Sequence, residues 1–150
     1  MGRRLPVSVI TPEKPVWEGE VDALVVPAHE GQLGILPGHA PLLAQLTPGA
    51  VVLRTGGEPT IFSVSGGFVE VNAGRVAVFV ETAEHAEEID AERARQAEMR
   101  ARAALKTAPS DRLDAEALAA LERALARLRA TELAARRGAK RAPPAPPSQG

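Results

Sequence analysis

The hydrophobic pattern of the chain changes near residue 88. Up to about residue 83, short segments rich in Val and Ile are separated by Gly, Pro or Asn, which predicts β-strands. These segments are LPVSVI, VDALVVP, AVVLRT, TIFSVS, GFVEV and RVAVFVE. No long helical pattern precedes residue 85, so this part of the chain is predicted to form an antiparallel β-sandwich or barrel.

The segment VEVNAGRVAVFV is predicted to be a β-hairpin. Its tight turn would be formed by residues 72–74, Asn-Ala-Gly, because Asn and Gly tolerate a positive φ angle. Val69 and Val71 would point to one face of the sheet, and Phe68 and Glu70 to the other. The two glycines of SVSGGFVEV lie within a run of strand residues. They indicate a bulge or a close backbone approach.

From Glu88 onward, Ala, Arg, Glu and Leu predominate, and all four are strong helix formers. Pro109 interrupts the run, which predicts two helices joined by a short loop. Leucines of the second helix are expected to pack on alanines of the first and to bury little area, so the pair should detach at small cost. The candidate N-caps of the second helix are Ser110, Asp111 and Asp114. The leucines of the second helix are Leu118, Leu121, Leu125 and Leu128, and the alanines of the first helix are Ala94, Ala97, Ala101 and Ala104.

These changes in composition predict three regions. Residues 1–87 form the β-sandwich domain, residues 88–137 form a helical hairpin, and residues 138–150 form a disordered Pro-rich tail. The tail sequence, GAKRAPPAPPSQG, is interpreted as a solvated extended segment, with an SH3-type ligand as the alternative.

Composition and charge exclude several classes of function. The chain has no Cys and three scattered His, which excludes disulfides and thiolate metal sites and argues against a zinc site. No apolar run approaches the ~20 residues of a membrane span, and the N-terminus lacks a signal-peptide core, so a cytoplasmic protein without membrane insertion is expected. Residues 1–87 carry 5 Lys/Arg and 10 Asp/Glu, and residues 88–150 carry 13 and 9. The net charges of −5 and +4 suggest separate partners.

His39 lies in the segment EGQLGILPGHAPLLAQLTPG and raises the question of a catalytic site. A nucleophilic site needs a Ser or Cys beside the base and a third group that orients it. The nearest hydroxyl is that of Thr47, Glu30 is the only nearby carboxylate, and no G-x-x-x-x-G-K-[ST] motif occurs. Enzymatic activity is therefore not expected.

The order of motifs resembles the epsilon-subunit family of bacterial F-type ATP synthase, to which chloroplast epsilon and mitochondrial delta subunits belong. The resemblance rests on GQLGILPGHAPL, SGGFVEV, EEIDAERA and the helical hairpin, and extends from Val7 to Arg137. Only the length of the tail departs from the family pattern. The resemblance implies a ten-stranded flattened sandwich with a two-helix C-terminal domain. It also implies a non-catalytic central-stalk subunit that rotates with gamma and the c-ring at the cytoplasmic face of the bacterial plasma membrane.

The resemblance implies that the GILPGHAP region faces the c-ring and the foot of gamma. His39 would then be an interface or packing residue and not a catalyst. Gly31, Gly34 and Gly38 would permit the turns of this region, and its two prolines would stiffen them. The implied rotor interface consists of Glu30, Gly31, Leu36, Pro37, His39, Ala40 and Pro41.

The resemblance also implies a non-catalytic ATP site through an I/L-D-x-x-R-A motif. Two pairs of arginines each share a helical face, since their spacings are seven and four residues. A folded hairpin would gather these four guanidinium groups around a triphosphate. The alternative is an Ala-rich helix with a solvated charged face. No cofactor is required, and ATP would be a regulatory ligand. The implied ATP-binding residues are Glu84, Ile89, Asp90, Arg93, Ala94, Arg100, Arg123 and Arg127.

Two positions of the hairpin follow from the resemblance, one compact against the sandwich and one extended along gamma toward the α and β subunits. The extended hairpin would obstruct rotation in the hydrolysis direction. A nucleic-acid-binding adaptor is the alternative, but nine acidic residues lie among the thirteen basic ones, and stacking aromatics are absent after Phe79, so no nucleic acid is expected. The expected β-subunit contacts are Arg123, Arg127, Arg129, Arg136 and Arg137.

Overall fold

A computed structural model describes residues 3–107 and 115–141, the last five of them as backbone only. Within these ranges, ten strands precede a 3₁₀ turn and two helices. The strands are β1 (Leu5–Ile10), β2 (Pro15–Val21), β3 (Ala23–Ala28), β4 (Gly31–Ile35), β5 (Leu42–Leu46), β6 (Gly49–Arg54), β7 (Thr60–Val64), β8 (Gly67–Asn72), β9 (Arg75–Val80) and β10 (Ala83–His85). The 3₁₀ turn is Ala86–Glu88, and the helices are α1 (Ala91–Thr107) and α2 (Ala115–Arg141).

The strands follow one another in the order β10-β7-β6-β3-β5-β8-β9-β1-β2, with β4 paired to β3. The pairs are antiparallel except β1 with β9, which is parallel. One face of this sheet closes over a core of aliphatic side chains, among them Val9, Leu24, Ile35, Leu53 and Val78, each of which is 0% exposed. The predicted ten-stranded sandwich is confirmed.

The predicted β8–β9 hairpin is present. Its turn holds Ala73 and Gly74 at φ angles of 52° and 76°, the left-handed pair that a two-residue hairpin turn needs. Val69 and Val71 are buried, and Phe68 and Glu70 are exposed on the other face, as the alternation predicted. A Cβ atom on Gly67 would collide with the carbonyl oxygen of Phe79, so the backbone approaches too closely there for any side chain.

Strands β2, β4, β5 and β10 were not predicted from the pattern. β4 and β5 lie inside the Gly- and Pro-rich segment that contains His39. Gly34 belongs to β4 and pairs with Val25, so its predicted role in a turn is wrong. Gly31 and Gly38 do have positive φ angles, of 126° and 85°. The pattern does not predict these four strands because they are kept extended by backbone pairing with their neighbours more than by their own composition.

Helix α2 packs on the outer face of the sandwich, against β6 and β7, and α1 packs against α2. The contact forms a second, smaller core of apolar side chains. The hairpin therefore lies in the compact position, folded against the sandwich. The buried members of the second core are Ala50, Val52, Ile61, Ala86 and Ala130, and Val25, Ile89, Leu133 and Ala134 pack against them.

The predicted packing of leucines on alanines is wrong in part. Ala94 and Ala101 of α1 are buried as expected, but Leu118 and Leu125 of α2 are 39% and 40% exposed. Alanines occupy the closest contacts of α2 instead. A helix that contacts α1 on one side and the sheet on another approaches both only where its side chains are small. The buried alanines of α2 are Ala117, Ala124, Ala126 and Ala130.

The helix boundaries differ from the predicted ones. α1 begins at Ala91 and not at Glu88, because Glu88 ends the 3₁₀ turn. α2 continues to Arg141, so residues 138–141, assigned to the tail, are helical. Their sequence, GAKR, precedes the first proline of the tail, and proline is what a helix interior excludes. The candidate caps Ser110, Asp111 and Asp114 and the tail residues 142–150 lie outside the described residues.

Candidate functional site

A cavity of about 270 Å³ lies where β10, the 3₁₀ turn, α1 and α2 meet. Small-molecule sites in proteins are typically about 300–1,000 Å³, so this cavity is slightly smaller than that range. Seven of the eight residues predicted to bind ATP line it. The eighth, Arg123, lines an adjacent pocket to which Glu84 and Arg127 also contribute. The cavity is lined by Glu84, Glu88, Ile89, Asp90, Arg93, Ala94, Ala97, Arg100 and Arg127.

Asp90 has a structural role that the motif did not reveal. Its Oδ1 atom accepts hydrogen bonds from the backbone N–H groups of Glu92 and Arg93, at 3.0 and 3.2 Å. Its carbonyl oxygen accepts the first helical hydrogen bond, from the N–H of Ala94, at 3.0 Å. Asp90 is therefore the N-cap of α1, a role worth about 1 kcal/mol.

Glu84 joins the sandwich to the hairpin. It lies on β10 opposite Ser63 of β7, and this pairing fixes its backbone. Its Oε2 atom accepts a hydrogen bond from the Nε–H of Arg127 on α2, at 2.8 Å. The two side chains are 38% and 44% exposed, so solvent screens the ion pair and its contribution to stability is modest.

Six other arginines of the hairpin fall into two groups. Arg95, Arg102 and Arg129 pair with glutamates on their own helix, at 3.2, 3.7 and 3.3 Å. Arg93, Arg100 and Arg123 form no ion pair with any residue that the structure describes. These three exposed guanidinium groups lie at the cavity or beside it, where they remain available to an anion.

His39 makes local contacts in the connection between β4 and β5. Its backbone N–H donates to the carbonyl oxygen of Leu36 at 3.1 Å, which closes a turn. Its Nδ1 atom lies 2.7 Å from the carbonyl oxygen of Ala40 and hydrogen-bonds to it. Neither contact brings a nucleophile or a carboxylate to the imidazole, so the geometry gives the ring no catalytic partner.

The other residues of the predicted rotor interface surround this turn. Leu36 is 60% exposed. Leu43 of β5, which is not one of the predicted interface residues, is 69% exposed. Pro37 and His39 are half-buried, whereas Glu30, Gly31, Ala40 and Pro41 are exposed. An exposed rim with two large apolar side chains suits a contact with another protein.

The arginines predicted to contact the β subunit do not form one surface in the compact position. Arg123 and Arg127 lie at the cavity and its neighbouring pocket. Arg129 lines a different hollow, together with Arg95. Arg136 is exposed, and the side chain of Arg137 lies outside the described residues.

No helix in the described part of the chain is both long and apolar enough to span a bilayer. No group of three or more His, Cys, Asp or Glu side chains is placed there to hold a metal ion.

Two family models match consecutive parts of the chain. The beta-sandwich domain of the ATP synthase Delta/Epsilon chain matches residues 4–86, and the long alpha-helix domain of the same chain matches residues 87–132. Together they cover the ten strands, the 3₁₀ turn, α1 and much of α2. The change from one model to the other falls beside the change in hydrophobic pattern.

Curated relatives from bacteria share both parts. The chain is 48% identical over 110 residues to the ATP synthase epsilon chain of Halalkalibacterium halodurans, covering 73% of this chain and 83% of the relative. It is 41% identical over 132 residues to the ATP synthase epsilon chain of Desulforamulus reducens, covering 88% of this chain and the whole relative.

A solved structure has the same fold. It is a chain of the Euglena gracilis mitochondrial ATP synthase, in an assembly described as OSCP/F1/c-ring, with 28% identity and a TM-score of 0.75. The match covers 90% of this chain and 82% of that one. A chain of the Tetrahymena thermophila mitochondrial ATP synthase central stalk and c-ring, at 20% identity and a TM-score of 0.52, shares the fold.

Proposed function

The chain belongs to the delta/epsilon family of ATP synthase, and we propose that it is a rotor subunit whose helical hairpin controls ATP hydrolysis. Proteins of this family are non-catalytic subunits of the central stalk. We propose a surface that contacts the rotor, a regulatory movement of the hairpin and a ligand for the cavity.

The proposed rotor contact involves gamma and the c-ring. Leu43 pairs with Glu70, and Phe68 pairs with Phe79, so these side chains share the outer face of β5, β8 and β9. Leu43, Phe68 and Phe79 are 69%, 51% and 41% exposed. This apolar face is not the one that α2 covers, and gamma would bury it. The turn around His39 would contact the foot of gamma and the c-ring. The complex would sit at the cytoplasmic face of the bacterial membrane.

The proposed regulation uses two positions of the hairpin. In the compact position, α2 rests on β6 and β7 through alanines and a small second core. In the extended position, α1 and α2 would rise along gamma. The arginines of α2, among them Arg123, Arg127 and Arg136, would then meet acidic loops of the β subunit. That contact would obstruct rotation in the hydrolysis direction.

The proposed ligand of the cavity is ATP, bound as a regulator and not as a substrate. The observation that carries this proposal is the convergence of Arg93 and Arg100 from α1 with Arg123 and Arg127 from α2. Only the folded hairpin brings both pairs together. A ligand that binds one state alone stabilises it by RT ln(1 + [L]/Kd), about 2.7 kcal/mol at one hundred times Kd. ATP would therefore favour the compact position.

The alternative of a nucleic-acid-binding adaptor gains no support from the fold, since three arginines outside the cavity, Arg95, Arg102 and Arg129, pair with glutamates of their own helix. Co-purification distinguishes the two functions. Gamma, α and β subunits should accompany the chain if it is a rotor subunit, and nucleic acid should accompany it if it is an adaptor.

Calorimetric titration of the isolated chain with ATP tests the ligand directly. Arg93→Ala and Arg100→Ala should each abolish most of the binding. Arg102→Ala is the matched control, because Arg102 is an exposed arginine of α1 that does not line the cavity. If the wild-type chain does not bind ATP at millimolar concentration, the ATP proposal is wrong. An equal loss in all three variants would show that the effect is one of general charge.

A further inference from the structure

Ser63 is the only polar or charged residue of the described chain that is buried, with 6% of its surface exposed. It lies on β7 between Phe62 and Val64, which are buried and apolar. Burying a hydroxyl group costs free energy unless a hydrogen bond replaces the one that it made with solvent. A buried serine within an apolar strand is therefore a feature that packing alone does not explain.

Ser63 lies on the outer face of the sheet, beneath α2. Its cross-strand partners are Ala50 of β6 and Glu84 of β10. Ala50 and Ile61, which is two residues before Ser63, belong to the second core. Side chains two residues apart in a strand point to the same face, so Ser63 points toward the helix. The hydroxyl group is therefore removed from solvent when the hairpin docks and returns to solvent when the hairpin leaves.

The side chain of Ser63 makes no hydrogen bond with any residue that the structure describes. Ser65, two positions further along the chain, provides a contrast. Its Oγ atom accepts a hydrogen bond from the backbone N–H of Thr82 at 2.9 Å. Buried polar groups in native proteins are almost always hydrogen-bonded, so the hydroxyl group of Ser63 needs a partner other than these protein groups.

A cavity of about 30 Å³ lies between β7, Thr82 and α2, and Ser63 lines it. It is distinct from the 270 Å³ cavity, because Ser63, Ser65 and Thr82 do not line the larger one. A water molecule needs about 10–15 Å³ of such space and two to four polar partners. The small cavity meets both conditions, and it is far too small for a nucleotide. The polar residues of its lining are Ser63, Ser65, Thr82, Glu84, Arg123 and Arg127.

We infer that one water molecule is bound beneath α2 in the compact position, where it hydrogen-bonds to the hydroxyl group of Ser63. The water gives this buried hydroxyl group the partner that the neighbouring residues do not. It is held only while the helix is docked, because α2 closes one side of the cavity with Arg123, Ala126 and Arg127.

The bound water makes Ser63 a residue that weakens docking. Each docking event immobilises a water molecule and keeps a polar group within an otherwise apolar contact, and both effects are reversed when the hairpin leaves. An apolar side chain at this position would bury apolar area against α2 without either effect. This consequence rests on the proposed function, since it concerns the movement of the hairpin, whereas the water site itself does not.

A crystal structure of the full-length chain that resolves ordered water tests the site directly. With α2 docked, the wild type should show a density peak about 2.5–3.0 Å from the Oγ atom of Ser63. Ser63→Val should lose the peak while α2 remains docked, because its methyl groups offer the water no hydrogen bond. A docked wild-type structure without the peak, or a Ser63 hydroxyl group that bonds directly to protein, would overturn the inference.

Hydrogen exchange in the isolated full-length chain tests the effect on docking. Ser63→Thr is the matched control for Ser63→Val, since the two side chains have the same shape and only Thr keeps a hydroxyl group. Exchange in α2 should be about threefold to tenfold slower in Ser63→Val than in Ser63→Thr, and exchange in the strands should be equal.

Equal exchange in α2 of the two variants, or faster exchange in Ser63→Val, would overturn the claim that the hydroxyl group weakens docking. Failure of the proposed brake would appear separately, as ATP hydrolysis by the assembled enzyme that is the same with and without the hairpin. That result would leave the water site standing, because the density peak and the exchange rates are measured on the chain alone.

Discussion

The sandwich and the hairpin are held by different kinds of packing. The sandwich core consists of Val, Leu and Ile side chains contributed by most of its strands, many of them completely buried. The hairpin is docked through alanines, the few larger side chains of the second core and one partly exposed ion pair. A fully buried Val or Leu side chain contributes about 1.5–3 kcal/mol, and an alanine methyl far less. The packing therefore predicts a rigid platform and an element that should detach from it at small cost.

This difference suits a subunit that must stay on a rotor while it changes shape. A two-state element needs positions whose free energies differ by only a few kcal/mol, so that a ligand can decide between them. Contacts through alanine are expected to leave such a small difference, whereas the valine-rich core would not. The half-exposed Leu118 and Leu125 agree with this view, since they are apolar side chains that the compact position does not bury.

The largest effect is expected in the platform. Leu53 is 0% exposed in the sandwich core, and Leu53→Ala should lower the free energy of unfolding by about 2–5 kcal/mol. Urea denaturation followed by circular dichroism measures it. Leu43→Ala, which truncates a leucine that is 69% exposed, is the control and should change stability little. Similar losses in the two variants would contradict the assignment of the core.

A smaller and more local effect is expected where the hairpin docks. Ala130 is 0% exposed against β6 and β7, so Ala130→Leu should overpack the contact by about 1–3 kcal/mol and shift the hairpin away from the sandwich. Hydrogen exchange should become faster in α2 and remain slow in the strands. Ala135→Leu, at an exposed position of the same helix, should leave exchange unchanged. Faster exchange throughout the sandwich would show that the two regions are not independent.

The smallest effect concerns the start of α1. Asp90→Ala removes the N-cap and should destabilise α1 by about 1 kcal/mol, whereas Asp90→Asn keeps a capping side chain and should cost only a few tenths. Hydrogen exchange at the first turn of α1 measures the difference. If both variants bind ATP equally poorly although Asp90→Asn keeps the helix intact, then Asp90 contacts the ligand in addition to capping the helix.

Sequence reasoning predicted the parts of the fold in which local and global preferences agree. The β8–β9 hairpin was clear because its valines alternate and Asn-Ala-Gly supplies the turn. β2 and β4 were missed because charged residues or glycines interrupt their pattern, and their neighbours keep them extended. The leucine stripe was misjudged because periodicity gives the spacing of a face but not which partner that face meets.

The candidate site was predicted as a set of residues but not as a set of interactions. The motif and the two arginine pairs identified residues that line one cavity, except for Arg123, which lines the adjacent pocket. The capping role of Asp90 had a signal in the sequence, an Asp directly before a helix whose first turn carries Glu92. The ion pair between Glu84 and Arg127 had none, because the two residues are 43 positions apart and meet only when the hairpin docks.

We propose that the hairpin is a detachable brake on ATP hydrolysis. The ATPase activity of the assembled enzyme, reconstituted with the full-length chain or with a chain that ends at residue 87, tests this proposal. We expect the shortened chain to fold and to join the complex, and the complex that contains it to hydrolyse ATP faster, most clearly at low ATP. Equal hydrolysis by the two complexes across the full range of ATP concentrations would contradict the claim.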